Sequence, residues 1–557
     1  MTTPPLRWGR AAIAAAALGL PAAFVIPTGV SFADASAPAS QAQEQQEQQD
    51  GRTLELGAPD LPETRTVTTL APGLTRTSIT RGAPDDSLFW TAEVAIPSTS
   101  PDAPASALSD EATARAVALK LRDAGVLAGV EHVQSPQLAD AGGDLGYRVR
   151  AGAFQSKAGS TATISQIKAA GYTASAVYTG WDGDTETTGK SRGPWKLEVL
   201  TVDPKLFRGE LTSGFGPDLQ GRETTSQLAA AEGALAAVNG GYFVLDPKAG
   251  APGDPAGTAA AGGRLLSEPV GDRPSLVVDG QKNESSIKRL TWAGHVSSPG
   301  QGMTLNLDGL NRVPGLIRNC GGTGDSPTNL PLHDATCTDP DETVAFSGEF
   351  GPSTPSGPGL EVVLDQHGTV TAINTVRGTA VPASGSTLQA IGADVPKLKD
   401  VATLGKRLDV ESGLTNGAGK AEKTNGATSV VNGGPMLVSG GAENITARRD
   451  GMVHSGDSNS FYYGWVHKRN PRTIAGVDAQ GRTLLVTADG RQTTSLGLSI
   501  KEAADVARSL GMVDAINLDG GGSTTMVADG QVVNSPSDAS GQRPVGDALL
   551  VLPRRSD

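Results

Sequence analysis

Apolar and polar positions alternate along this chain with two different periods. Between residues 88 and 182 strand-like runs exchange with amphipathic helical ones. Leu88–Pro97 has the apolar and β-branched content of a strand, and 110–124 places Ala114, Val117 and Leu121 on one helical face before Gly125 ends it. Further strands are predicted around Gly129–Val133 and over Tyr147–Phe154. A second helix over Ser160–Ala170 turns Ile164 and Ile167 inward and stops at Gly171, and Thr173–Tyr178 closes the set as a strand. The order is βαββαβ, a ferredoxin-like arrangement in which a strand, helix, strand unit occurs twice.

From Trp195 onward the period shortens. Lys196–Val202, Ser275–Val278, Leu360–Leu364, Thr483–Thr487 and Asp514–Leu518 read as strands separated by Gly- and Asp-containing turns. A helix over Ser226–Leu235 leads into the apolar run Ala236–Val238. Another begins at Ser499–Glu502, which has the form of a capping box, lines Ile500, Ala503, Ala507 and Leu510 on one face, and ends at Gly511. The expected class is α+β: a large mixed sheet with packed helices, over residues 190–553, beside the small βαββαβ module.

The first residues change this picture by setting a compartment. Arg7 and Arg10 precede an apolar, alanine-rich stretch from Ala11 to Ile26, and Ala33-Asp34-Ala35 has the small-x-small form of a signal-peptidase site. Residues 1–35 therefore read as a secretory signal, with a membrane anchor as the alternative reading, and no later segment is long and apolar enough to span a bilayer. Residues 36–65 follow as a spacer expected to be disordered, because the Gln/Glu-rich run within it carries almost no apolar side chains. A secreted or cell-wall-associated protein with no stable membrane insertion after signal cleavage is implied. In that compartment the two cysteines, Cys320 and Cys337, read as one disulfide. The six histidines show no metal-type spacing, so neither a metal nor another cofactor is expected. With 46 basic against 59 acidic residues the formal charge is -13, which repels a polyanion and excludes nucleic acid as a partner. Any recognition of phosphate must be local.

Candidate chemistry sits where buried strands run into consecutive glycines. Ala236-Ala237-Val238-Asn239-Gly240-Gly241, Val430-Val431-Asn432-Gly433-Gly434 and Ala515-Ile516-Asn517-Leu518-Asp519-Gly520-Gly521-Gly522-Ser523 share that form. Glycines let backbone approach a ligand and aim N–H groups at an anion, while the adjacent Asn or Asp supplies an orienting or proton-transferring group. Each turn alone is also an ordinary hairpin signal. Asp519 stands apart, because a hairpin needs neither a carboxylate before three glycines nor the hydroxyls of Ser523, Thr524 and Thr525 after them. Arg469-Asn470-Pro471-Arg472-Thr473 follows the aromatic run Phe461-Tyr462-Tyr463-Gly464-Trp465. Arginines there could clamp a phosphate diester through bidentate hydrogen bonds, and Trp465 could stack on a sugar.

The segments Val238–Phe243, Asn432–Val438, Arg469–Gly476, Leu496–Leu510 and Ile516–Met526, in this order, resemble the phosphodiester glycosidase family. Leu70-Ala71-Pro72-Gly73-Leu74 looks like its usual beginning, so residues 66–87 would open the larger domain. Tyr147–Phe154 with the helix after it and Ala170-Gly171-Tyr172 resembles the SPOR domain, a peptidoglycan-binding module, here inserted over residues 88–182. The first resemblance implies a hydrolase that cleaves a sugar-1-phosphate diester. It implies that Asn239, Arg472 and Asp519 lie together, with Gly240, Gly241, Thr473, Gly520, Gly521, Gly522 and Ser523 around them and Asn432 and Arg469 assisting. Asp519 is the expected acid/base or water-orienting carboxylate, Arg472 the phosphate clamp and Asn239 the group that positions an oxygen. A two-carboxylate mechanism would need a partner, with Asp478 and Glu349 both open as candidates. The alternative is a peptidoglycan-binding envelope protein whose larger domain is an inactive scaffold.

Overall fold

The computed structural model describes residues 53–97, 106–183, 190–318, 336–453 and 459–554. The expected signal peptide, the first part of the spacer and Cys320 lie outside the described residues; Cys337 is buried at the end of the short strand Thr336–Cys337.

The spacer is shorter than its composition suggests. Leu54, Leu56 and Leu61 are buried against the core that holds Trp195, and the Arg81 side chain donates to the carbonyls of Leu56 (2.7 Å) and Ala58 (3.1 Å). Burying each leucine is worth roughly 1.5–3 kcal/mol. With their carbonyls satisfied by a buried arginine, residues 53–65 are ordered, and Glu63–Ala71 already forms a hairpin with Leu74–Arg81.

The module follows the predicted order element by element. Trp90–Ala95, Ala128–Ser135, Gly143–Phe154 and Thr173–Tyr178 form a four-stranded antiparallel sheet. The helices Glu111–Asp123 and Thr161–Ala169 cover one face, closing a core of Val94, Leu121, Val149 and Ile167. Asp110 caps the first helix by accepting from the Thr113 N–H.

In the larger domain the α+β class holds, with its strands divided among several sheets. An eight-stranded sheet runs Glu63–Ala71, Leu74–Arg81, Trp195–Val202, Thr483–Ala488, Arg472–Asp478, Met512–Asn517, Met436–Ser439 and Ala442–Glu443. A five-stranded sheet runs Gln531–Val532, Met526–Ala528, Ala236–Asn239, Ala548–Leu552 and Glu210–Gly214. Leu200, Leu485 and Ile516 from the first share a core with Val238, Leu549 and Val551 from the second, so the two sheets face each other. Ala236–Asn239 and Met512–Asn517 both end at that interface, which is what brings their glycine turns together. The helix Ile500–Ser509, capped by the predicted Ser499 and Glu502 box, packs on the other face of the eight-stranded sheet.

Candidate active site

Asn239 and Asp519 meet through the backbone. The Asn239 side-chain amide donates to the Asp519 carbonyl (2.7 Å), and its oxygen accepts from the Thr473 hydroxyl (2.7 Å) and the Thr525 N–H (3.1 Å). Fully buried, Asn239 is a splint between three strands, and its polar atoms are directed at protein. Asn432 does the same for the neighbouring turn, accepting from the Tyr242 N–H (2.9 Å) and donating to its carbonyl (3.2 Å).

The glycines make room for side chains as much as for a ligand. A Cβ on Gly240 would lie 2.4 Å from the Asp547 carboxylate, and one on Gly241 2.6 Å from the Asn432 amide. In the other turn a Cβ on Gly522 would lie 2.2 Å from the Arg543 guanidinium, and Gly521, at φ 61°, sits under Arg491.

A cavity of about 240 Å³ opens over this second turn. Asp519 and the backbone of Gly520, Gly521 and Gly522 form its floor, Arg318, Arg491 and Arg543 its cationic side, and Tyr242, Phe243, Phe461 and Trp465 its aromatic side. Among the described residues that line it, Asp519 is the one carboxylate. Burial pushes the Asp519 carboxyl up to about 6, against the pull of Ser523, the Gly520 N–H, Arg543 and Arg318. Arg543 is held by both oxygens of Asp538 (2.9 and 3.1 Å), and Arg491 by Asn470 (3.0 and 3.2 Å). Arg491 carries φ 56°, in the left-handed region that few non-glycine residues adopt.

Several expected residues are placed elsewhere. Arg472 is fully buried behind the cavity wall: it donates to the carbonyls of Leu498 (2.9 Å) and Trp465 and stacks 4.8 Å from the Trp465 ring. Burial brings its guanidinium down to about 9, which Tyr242 opposes. It shapes the site by holding Trp465 and does not face the cavity. Arg469 is committed to a buried pair with Glu502 (2.7 Å) and to the Gly180 carbonyl (3.0 Å), and it does not line the cavity. Removing one partner of such a pair strands the other charge, so Arg469→Gln should lower unfolding free energy by about 3–5 kcal/mol in a urea titration. A fully stable variant would contradict this structural role.

Neither candidate for a second carboxylate lines the cavity. Asp478 closes the turn to the next strand, accepting from Arg482 (2.6 Å), and pairs with Met512 at the opposite end of the strand from Asn517. Glu349 pairs with Arg264. The carboxylate near Asp519 is instead Asp547, beneath the floor, which accepts from the Gly241 N–H (2.9 Å). Burial pushes it up to about 7, the Gly241 bond opposes this, and the charge of Asp519 adds to it. Arg318, Arg491 and Asp547 were missed because each sits beside a strand end whose neighbour is set by sheet pairing, and Arg543 because a loop contact with Asp538 places it. Arg472 faces Ala488, which delivers Arg491 to the turn; Ala548 faces Asn239, which delivers Asp547 to Gly240. Among the described residues no cluster of three His, Cys, Asp or Glu side chains is arranged to hold a metal ion.

A model of the phosphodiester glycosidase family matches residues 359–552, a span that contains Asp519, Arg491 and Arg543. The chain therefore carries a phosphodiester glycosidase domain. A SPOR-domain model matches residues 105–178, between the paired strands Leu74–Arg81 and Trp195–Val202. The N-acetylglucosamine-1-phosphodiester alpha-N-acetylglucosaminidases of Mus musculus and Homo sapiens are 45% and 42% identical to this chain over 74 residues, 13% of its length. The alignment spans 14% of each of those enzymes' own length. Among solved structures, a protein described as exported, from Burkholderia pseudomallei K96243, is 34% identical with a TM-score of 0.80, over 90% of this chain and 99% of its own. A hypothetical protein from Synechocystis, 16% identical with a TM-score of 0.51 over 90% of this chain and 81% of its own, shares the fold.

Proposed function

We propose that this chain is a secreted hydrolase that cleaves a sugar-1-phosphate diester, in or near the cell wall. The observation that carries the reading is the cavity itself: one carboxylate poised near neutrality beside three arginines and an aromatic side. The arginines suit the single negative charge of a diester, and Trp465 and Phe461 suit the apolar face of a sugar ring.

A single lining carboxylate fits this bond better than it fits an ordinary glycoside. When the anomeric C–O bond breaks, the departing group is a phosphate monoester, whose second ionisation lies near pH 6. Stabilised by guanidiniums, it leaves without a proton donor. What remains is to activate water. Asp519 in its ionised form takes a proton from water as the oxygen bonds to the sugar, and phosphate monoester and free sugar are released. Asp547 serves as the buried group that keeps the Gly240 turn in place. Cleavage at phosphorus would use the same cavity, and incorporation of labelled water oxygen into sugar or phosphate distinguishes the two.

The general-base role sets the pH dependence. kcat/KM should rise with pH and level off above an inflection near 6, the value to which burial moves Asp519. The test is a pH profile with a panel of sugar-1-phosphodiesters that includes teichoic-acid-like polymers. A profile falling through pH 6 would make Asp519 an acid, and folded protein that turns over no diester while sedimenting with peptidoglycan would favour the envelope-binding alternative that the SPOR match supports.

A further inference from the structure

The sheet of the SPOR module has one face under its own helices, and the other face is also covered. Arg148, Arg150 and Glu93 on that second face are 4%, 5% and 8% exposed, although each carries a charge. Arg150 binds Glu93 (2.6 Å) and Asp182 (2.6 Å), and all of them converge on a residue of the larger domain. That residue is Tyr463. Its hydroxyl donates to Glu93 (2.9 Å) and accepts from Arg148 (3.1 Å) and Arg150 (3.3 Å). Lys468 lies 5.1 Å from the Tyr463 ring and binds Glu93 (3.2 Å).

The ties extend along the whole turn that holds Tyr463. The Asn459 amide donates to the Leu145 carbonyl (3.4 Å), the Ser460 hydroxyl accepts from the Leu108 N–H (3.1 Å), and the Tyr462 and Ser135 hydroxyls bond at 3.1 Å. The Arg469 N–H donates to the Trp181 carbonyl (2.8 Å). Every one of these partners belongs to the module or its immediate C-terminal edge. Phe461 and Trp465, interleaved among the tethered positions, point the other way and line the cavity. The segment Tyr463–His467 is a π-helical turn, closed by the Lys468 N–H on the Tyr463 carbonyl (2.8 Å), a rare geometry that occurs mostly as single turns at functional sites.

We infer that the SPOR module buttresses the wall of the catalytic cavity from behind, its sheet holding through Tyr463 the turn that aims Phe461 and Trp465 at the substrate. The inference rests on the proposed hydrolase reading for its kinetic arm alone. Tyr463 is a positioning residue: it touches no substrate, and it acts on binding through the two aromatics. Burial of this charge cluster in fully paired form agrees with it, Glu93 being held at about 2, where the pairing with Lys468 and Arg150 outweighs burial.

The test uses the full chain. Tyr463→Phe removes one hydroxyl and leaves the Arg150, Glu93 and Asp182 pairs intact. Amide hydrogen exchange over residues 459–469 should quicken by tenfold or more, while Thr161–Ala169 and Arg472–Asp478 keep their rates. With the methyl diester of N-acetylglucosamine 1-phosphate as probe, KM should rise about fivefold and kcat should change less than twofold. Ser135→Ala, which removes one tie from the module side, should move both readouts the same way by less. Unchanged exchange over 459–469 in both variants, or equal loss of kcat with unchanged KM, overturns the inference. If the wild type turns over no diester, the function proposed above fails and the exchange rates still decide this one.

Discussion

Asp519→Asn should lower kcat/KM for a sugar-1-phosphodiester by about three orders of magnitude, within the range that a positioned general base supplies. The same substitution should stabilise the protein, and the two effects have one cause. Burial raises this carboxyl from its ordinary value of 3.8 to about 6. The folded state therefore binds the proton more tightly than the unfolded chain. Its contribution to stability is fully present below about pH 4 and is lost as pH rises through 6, a penalty of about 3 kcal/mol at neutral pH. Asparagine carries no charge and escapes it. The melting temperature of D519N should exceed that of the wild type at pH 8 and match it at pH 4. Asp547 sharpens the contrast, because the Asp519 charge is one of the influences that raise it to about 7. Wild-type turnover by D519N would remove the carboxylate from the mechanism, and a lower melting temperature at pH 8 would mean that Asp519 is a structural group.

How far such a site can be read from the chain depends on how local its causes are. The βαββαβ module was legible because each helix carries an apolar face and a glycine stop, Gly125 for the first and Gly171 for the second, and each strand its own β-branched content. The Ser499 and Glu502 box was legible for the same reason. Asp519 could be singled out because a carboxylate before three glycines is excessive for a turn. The arginines could not. Arg469 and Arg472 sit in a motif shaped for anion binding, yet helix Ile500–Ser509 presents Glu502 to the first and the Leu498 and Trp465 carbonyls occupy the second. Arg491 and Arg543 stand in unremarkable sequence; pairing of Arg472 with Ala488 brings Arg491 to the cavity, and Asp538 holds Arg543 there. The leucines of residues 53–65 were hidden by averaging composition over a window that also contains the Gln/Glu run.

The second large effect belongs to that unpredicted pair. Arg491→Gln and Arg543→Gln should each raise KM for a diester by about tenfold to a hundredfold, since a hydrogen bond to a charged group is worth about 1.5–3 kcal/mol. The double variant should fall short of the product of the two, because both guanidiniums face one phosphate and the remaining arginine redistributes onto it. Arg543→Gln also leaves Asp538 without its partner, so part of its effect could come from an acid turned against the substrate. Asp538→Asn in the same background removes that charge, and whatever loss persists belongs to the arginine. Both side chains still reach solvent at the cavity mouth, Arg491 as an exposed residue and Arg543 at 29%. Their attraction should therefore be screened: the wild-type KM rises with ionic strength, and that slope flattens in the double variant. Arg472→Gln makes the comparison decisive. Its Nε and Nη2 serve the Leu498 and Trp465 carbonyls, so it should cost folding stability, and its residual activity should keep the wild-type dependence on salt. If instead Arg472→Gln abolishes the salt dependence while the Arg491 and Arg543 variants retain it, the phosphate is held on the far side of Trp465 and the cavity described here is not where the diester binds.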